Sequence, residues 1–289
     1  MPERQTIEEV VASHYADLSD QLRRAADIVV QNKVDVATRS LRALSAAHDL
    51  SPATLSRLSK ALGFDGYDAM REVIRSAVER QMGTLSEKAD RLRKDAAGKG
   101  SIFDRQAAAC IANIEDMKEL TPRTRIDQTV ELLVGARQVV LFGAFGSSGI
   151  VEYLAYLANY FAPNWTLAGR RGASLGASLA GLGPEDVLFL VTTAPHARRA
   201  VMAAEAAAEQ GASVIVVTDS HTCPSVKHAK VSLFVPTDSP QFFSSYAAML
   251  VLMEGLIATL IVRSPEDLAA RIRDAEEGNR KLGEFWIDP

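Results

Sequence analysis

The sequence has little of what marks secreted, metal-binding or membrane-spanning proteins. Its 289 residues include two cysteines, Cys110 and Cys223, which are too few for a disulfide framework and too far apart for a metal-ligand motif. They predict free thiols in a reducing compartment. The most apolar stretch, Ala247 to Val262, is interrupted by Glu254 and is too short to span a bilayer. The N-terminus has no signal-peptide pattern, so we expect a cytoplasmic protein without a membrane partner.

Signatures of catalysis are also sparse. The chain has no Walker loop and no His-Glu-x-x-His pair. His196 and His221 could act as acid–base groups, with Asp219 as the carboxylate in the same loops. We interpret both histidines as solvated loop residues, and we expect neither enzyme activity, nor a cofactor, nor a metal site.

The stretch Leu50 to Arg57 is the most informative, because it lies between two short runs of apolar residues at helical spacing. The residues around it suit a tight turn. Asp49 tolerates a left-handed backbone, and Ser51 can cap the next helix with Pro52 at its first position. Two short helices joined in this way make a helix-turn-helix, whose second helix can lie in the major groove of DNA.

The local charge supports contact with DNA. The whole chain has a net charge of −4. The segment 37–60, in contrast, contains a single acidic residue and four basic ones, which are Arg39, Arg42, Arg57 and Lys60. We expect the polar face of the second helix to read double-stranded operator DNA. The candidate DNA-binding residues are Arg39, Ser51, Thr54, Ser56, Arg57 and Lys60.

The chain is long enough for two domains. We predict a helical domain over 1–82, beginning with a helix from His14 to Asn32, then a charged connector over 83–105 and an α/β domain over 106–289. Near-continuous apolar runs alternate with alanine-rich helices in the last part, which indicates a doubly wound parallel sheet. The predicted strands are 138–142, 187–191, 214–217 and 231–235, and the predicted closing helices are 242–262 and 266–282.

Three loops of this sheet are rich in groups that bind anions. Ligands of open parallel sheets bind beyond the carboxyl ends of the strands, where the loops 143–149, 192–199 and 218–221 should converge. Glycines, hydroxyls and helix N-termini can all contact an anion there. The candidate effector-binding residues are Gly146, Ser147, Ser148, Thr192, Thr193, His196, Arg198, Ser244 and Ser245.

These motifs resemble those of RpiR-type transcriptional regulators. Leu50-Ser51-Pro52-Ala53-Thr54-Leu55-Ser56-Arg57, followed by Leu62-Gly63-Phe64, is similar to their helix-turn-helix motif, and the C-terminal part resembles their sugar isomerase (SIS) domain. The resemblance covers nearly the whole chain. It implies an all-α helix-turn-helix domain followed by a doubly wound SIS domain. It also implies that the protein senses a phosphorylated sugar or related metabolite and binds operators as a homodimer or homotetramer.

One SIS loop departs from the usual family pattern of Ser-x-Ser-Gly-x-Thr, which wraps the phosphate. Here the loop reads Thr192-Thr193-Ala194-Pro195-His196-Ala197, which keeps only the first hydroxyl, and the proline removes a backbone donor. It resembles a subgroup with a Pro-Tyr/His-Ala/Ser-Arg segment here and a stretch like Asp238 to Ser245. His196 and Arg198 can supply the positive charge that the missing hydroxyls do not.

We therefore expect a regulator whose effector is small, polar and anionic, such as a sugar, a polyol or a sugar phosphate. One alternative is an SIS-type phosphosugar isomerase or etherase. Another is a regulator that senses a dinucleotide, because Gly143, Gly146 and Gly149 loosely echo a glycine fingerprint and Arg170-Arg171 could meet a 2′-phosphate. The glycine spacing does not suit the tight Rossmann turn.

Overall fold

The computed structural model describes residues 7–82, 84–95, 101–170, 172–264 and 267–286. The chain divides into two compact units, Met1–Arg91 and Leu92–Pro289. The predicted domain limits at residues 82 and 105 stay predictions. The predicted connector contains the helix Leu85–Asp95, while Gly83 and residues 96–100 lie outside the described residues.

The N-terminal part of the chain is helical. Its helices are α1 (Ile7–His14), α2 (Asp20–Gln31), α3 (Lys33–Thr38), α4 (Leu41–His48), α5 (Pro52–Ala61), α6 (Tyr67–Met82) and α7 (Leu85–Asp95). The single helix predicted over 14–32 is wrong, because α1 ends at His14 and α2 begins only after Ser19. Leu18 between them has an extended backbone and is buried in the helical core, so its apolar side chain packs from a loop.

The helix-turn-helix forms where the sequence predicts it. Asp49 ends α4 with φ 52°, the left-handed conformation that a short polar side chain tolerates. The Ser51 hydroxyl then accepts a hydrogen bond from the Thr54 N–H at 3.0 Å, with Pro52 in the first turn of α5. Leu44 of α4 and Leu58 of α5 are completely buried, which fixes the two helices against the rest of the unit.

The second unit alternates strands and helices. Its strands are β1 (Gln138–Gly143), β2 (Trp165–Leu167), β3 (Asp186–Thr192), β4 (Ser213–Thr218) and β5 (Val231–Phe234). Its helices are α8 (Ile102–Leu120), α9 (Arg123–Val134), α10 (Ser147–Ala158), α11 (Leu175–Leu179), α12 (Arg198–Glu209), α13 (Ala247–Arg263) and α14 (Leu268–Leu282). The four predicted strands are confirmed, and β2 is an addition that the sequence did not reveal.

All five strands are parallel and follow the order β2-β1-β3-β4-β5. The two faces of the sheet bury different side chains because successive strand residues point to opposite sides. Val139 and Leu141 of β1 pack in the cluster that contains α9, α10 and α13. Val140 and Phe142 pack in the cluster that contains the buried alanines of α12. Helices on both faces make this the predicted doubly wound sheet.

The parallel arrangement brings the ends of β1, β3 and β4 to one edge of the sheet. Gly143 pairs with Val191, and Thr192 pairs with Thr218, so the loops that follow these strands start side by side. No single helix among the described residues is long and apolar enough to cross a membrane. The helices α13 and α14 reach the length and composition of a membrane span only when they are taken together, and this pair is bent by 117°.

Candidate functional sites

The exposed face of α5 carries positive charge. Arg57 and Lys60 are exposed and Ser56 is half-buried, while Leu55 and Leu58 on the opposite side are completely buried. The Arg57 Nε donates to the Ala53 carbonyl at 3.3 Å, which holds the side chain along the helix surface. A short capped helix with this face has the form that enters a major groove.

Two other predicted DNA-binding residues, Thr54 and Arg39, make contacts with other side chains of the protein. Thr54 is completely buried, and its hydroxyl lies 2.8 Å from the Ser51 hydroxyl, so its predicted place on the exposed polar face is wrong. Its backbone N–H and its hydroxyl both contact the Ser51 hydroxyl, so Thr54 is part of the cap of α5. Arg39, at the end of α3, forms an ion pair with Asp35 at 3.1 Å.

The loop after β1 is shaped by the glycine at its start. A Cβ on Gly143 would lie 2.4 Å from the Ser147 carbonyl oxygen, so only glycine allows this approach between the strand end and α10. Phe145 has φ 52° and is 81% exposed. Ser148 is half-buried, and its hydroxyl donates to the Phe145 carbonyl at 2.7 Å.

Tyr246 connects two of the predicted loops. Its hydroxyl lies 3.0 Å from the Thr193 hydroxyl and 3.5 Å from the Ser147 hydroxyl. Gly146 packs directly against the same ring, since a Cβ there would lie 2.8 Å from the Tyr246 oxygen. Ser147 and Thr193 are both buried. Their hydroxyls therefore make contacts within the protein, and the sequence analysis did not single out Tyr246.

The segment before α13 folds onto the same edge of the sheet. The helix predicted from Phe242 begins only at Ala247, because Ser245 makes other contacts. The Ser245 N–H donates to the Thr237 carbonyl at 2.9 Å, and the buried Ser245 hydroxyl lies 3.3 Å from the Cys110 thiol. Ser244 next to it is half-buried.

Asp219 anchors the loop after β3. Its carboxylate accepts hydrogen bonds from the Ala194 N–H at 3.0 Å and from the Thr237 hydroxyl at 3.1 Å. Burial raises the pKa of Asp219 above its ordinary value, although these hydrogen bonds and His196 oppose the rise. Thr192, just before this loop, is buried.

His196 interacts with a cysteine instead of being solvated, so our interpretation of it as a solvated loop residue is wrong. A hydrogen bond with Cys223 raises the pKa of His196 despite partial burial, and Asp219 adds to the rise. For Cys223, burial raises the thiol pKa, but hydrogen bonding with His196 and with the Ser225 N–H outweighs this effect, and the net shift is downward. His221 is exposed, and its ring lies 3.7 Å from the ring of Phe234.

A cavity of about 480 Å³ opens at the edge of the sheet beside these loops. The predicted residues Ser148 and Arg198 line it. Arg199, which was not predicted, lines it too, as does Arg170, which was considered only for the dinucleotide alternative. Arg170 also forms an ion pair with Glu152 of α10, and the Arg199 guanidinium lies over the Phe142 ring at 5.9 Å. Every charged residue among its described lining residues is an arginine, so the cavity is suited to anions.

A Gly-x-Ser-x-Gly spacing occurs at 172–176, which matches the nucleophile elbow of hydrolases. Ser174 here is the N-cap of α11, and its hydroxyl accepts from the Ala177 N–H at 3.1 Å. An elbow serine lies on a sharp strand-to-helix turn, whereas β2 ends at Leu167, seven residues earlier. No group of three or more metal-binding side chains occurs within the described ranges.

Comparison with known families matches both halves of the chain. Residues 5–81 match the helix-turn-helix domain of the rpiR family, and residues 132–259 match the SIS domain. The transcriptional regulator HexR of Pseudomonas aeruginosa is 23% identical over 93% of this chain and 94% of its own length. A bifunctional protein glk of Paraburkholderia xenovorans is 25% identical, but the alignment covers 89% of this chain and 40% of that longer protein.

Solved structures show the same fold. NanR of Vibrio vulnificus, in complex with ManNAc-6P, aligns over 96% of this chain and 99% of its own, with a TM-score of 0.59 and 22% identity. The sugar isomerase domain of an RpiR transcription factor from Sphaerobacter thermophilus aligns over 60% of this chain and 96% of its own, with a TM-score of 0.56 and 26% identity. The two matched domains occur here in the order that the sequence predicts, and the chain belongs to the RpiR family of transcriptional regulators, with an N-terminal helix-turn-helix domain and a C-terminal SIS domain.

Proposed function

We propose that this regulator binds operator DNA through α5 and changes its affinity for DNA when a small anionic metabolite occupies the SIS domain. The observation that carries the effector half of the proposal is the cavity at the carboxyl edge of the sheet, lined by Ser148 and three arginines. Its volume lies within the range of small-molecule sites, roughly 300–1,000 Å³. The sugar phosphate in the NanR complex supports the same class of effector.

A binding role suits this cavity better than catalysis. Isomerisation of a phosphosugar requires a group that removes a proton from carbon, and a carboxylate or histidine usually provides it. The described lining residues include neither, and the Glu152 carboxylate that reaches the cavity is held in an ion pair with Arg170. Full-chain protein should therefore bind a sugar phosphate without converting it. Turnover of any phosphosugar in a coupled assay would instead favour the isomerase alternative.

The effector class is testable by ligand-dependent stability. The panel contains glucose, sorbitol, glucose 6-phosphate, gluconate and NADH, each titrated against the full chain in a thermal-shift assay. A true ligand raises the unfolding temperature in proportion to the logarithm of its concentration above Kd. We expect glucose 6-phosphate to protect the protein most, gluconate with its single charge to protect it less, and the neutral glucose and sorbitol to have no effect. Protection by NADH alone would support the dinucleotide alternative and contradict this proposal.

We further propose that the protein acts as a homo-oligomer. Dimeric regulators read two half-sites spaced by about one helical turn of DNA, ~34 Å, or multiples of it. Val251, Ile261 and Val262 of α13 are exposed apolar side chains, with Val262 83% exposed. Such a patch supports contact with a second copy. Multi-angle light scattering should give a dimer or a tetramer at micromolar concentration, and a monomer would contradict the proposal.

A further inference from the structure

The loop after β3, which the family resemblance assigns to the phosphate, has few free donors in this chain. The Ala194 N–H already donates to Asp219, and Pro195 has no N–H. The Thr193 hydroxyl contacts Tyr246, and Thr192 is 3% exposed. An anion at this loop would have to replace contacts that the protein makes within itself.

Three arginines line the cavity instead. Arg198 and Arg199 form the first turn of α12, whose N-cap residue Ala197 has no side-chain oxygen to cap the helix. Arg170 lies in the loop after β2. The Arg199 guanidinium extends to this loop and lies 3.6 Å from the position of a Cβ on Gly169. Two separate segments therefore place guanidinium groups around one cavity, and guanidinium groups bind phosphate and carboxylate with two parallel hydrogen bonds.

Arg170 already has a negatively charged partner within the protein. Its guanidinium pairs with the Glu152 carboxylate of α10, and both side chains are 46% exposed. With Glu152 counted as the partner of one arginine, the cluster keeps a charge of about +2. A ligand with two negative charges would balance it. Because both partners are accessible to water, the pair is weak enough for a ligand to replace.

We infer that Arg170, Arg198 and Arg199 hold the anionic group of the effector in place of the loop 192–197, here called the threonine loop. We also infer that this group competes with Glu152 for Arg170. The inference rests on the proposed function, since it concerns the same cavity. It makes Glu152 a specificity-determining residue. A singly charged ligand would gain too little to replace the carboxylate, whereas a phosphate monoester or a dicarboxylate would replace it.

The test uses the full chain with inorganic phosphate, glucose 6-phosphate and succinate as probes, with Kd measured by calorimetry at fixed ionic strength. The R170Q, R198Q and R199Q substitutions should each weaken glucose 6-phosphate binding about ten- to a hundredfold, because each removes charge-assisted hydrogen bonds. E152Q should strengthen it about two- to fivefold, since an exposed competing pair is worth little. Thr192 is a predicted effector-binding residue, but it is buried and the arginine anchor gives it no ligand contact, so T192V should leave the Kd unchanged. R280Q, which removes one exposed positive charge from α14, is the control for net charge.

The outcomes separate this inference from the proposed function. If wild-type protein binds glucose 6-phosphate and T192V abolishes binding while the arginine variants do not, the anchor is the threonine loop and the inference is overturned. If E152Q weakens binding, Glu152 supports the ligand or Arg170 instead of competing, and that part is overturned. If wild-type protein binds selected DNA but none of the three probes, the effector half of the proposed function fails together with this inference. Equal Kd values for succinate and inorganic phosphate would support an arginine anchor that accepts dianions in general.

Discussion

Replacement of Gly143 by alanine tests how tightly the strand end approaches α10. The added Cβ would lie 2.4 Å from the Ser147 carbonyl oxygen, 2.8 Å from its carbon and 3.2 Å from the Ser148 nitrogen. All three are backbone atoms in the first turn of α10, so no side-chain rotation can relieve the overlap. Overpacking of this kind costs about 1–3 kcal/mol. We expect the G143A variant to lose stability by that amount.

Gly149 provides a matched control six residues later. A Cβ there would meet nothing within 4 Å, and the residue lies inside α10 with a helical backbone. Alanine is favoured over glycine in helices by up to about 1 kcal/mol, so the G149A variant should be slightly more stable than the wild type. The two variants make the same chemical change with opposite predicted signs.

Urea unfolding of the full chain, followed by circular dichroism, measures both effects. The two units can unfold separately, so each transition is fitted on its own. The G143A variant should lower the midpoint of the transition that inorganic phosphate stabilises, and G149A should raise it. Equal shifts for both variants, or a G143A variant as stable as the wild type, would show that the end of β1 does not approach α10 this closely.

Two further predictions concern the helical core and the thiol. The L58A variant should destabilise the helix-turn-helix unit by about 2–5 kcal/mol in the same urea assay, because Leu58 is completely buried; a loss below 1 kcal/mol would contradict the assigned core. The H196Q variant should raise the pKa of Cys223, because the imidazole no longer stabilises the thiolate, and more of the thiol stays protonated near neutral pH. Thiolate ultraviolet absorbance in a C110S background measures this pKa, and an unchanged or lower value would refute the His196–Cys223 contact.

Much of the helix-turn-helix could be predicted because its signals are local. Asp49, Ser51 and Pro52 determine the turn through their own backbone preferences and one side-chain cap. Thr54 was misplaced because a threonine looks polar in a sequence pattern. Its position in the helical period puts it beside the buried Leu55, and its oxygen finds a partner in Ser51 without reaching solvent.

The sheet could be predicted where strands are long and apolar. Strand β2 was not predicted because it is only three residues long and therefore forms no apolar run of its own. It lies at the edge of the sheet and pairs with β1 alone. The convergence of the loops after β1, β3 and β4 could be predicted, since the carboxyl ends of parallel strands lie at one edge of the sheet. The pairing of Arg170 with Glu152 and the contact of Tyr246 with Thr193 could not, because they join segments that are distant in the sequence and no local pattern encodes them.

The proposed function requires that α5 reads a specific DNA sequence. Operator fragments are first selected from random double-stranded DNA with the full chain, and affinity for the selected site is then measured by fluorescence anisotropy at fixed salt. The R57A variant should lose about 1–3 kcal/mol of binding to the selected site, more than it loses to scrambled DNA, if Arg57 contacts a base. R280A, which removes an exposed positive charge from α14, should bind both DNAs like the wild type. Failure to select any sequence, or an R57A variant that binds the selected site as tightly as the wild type while remaining folded, would contradict the account.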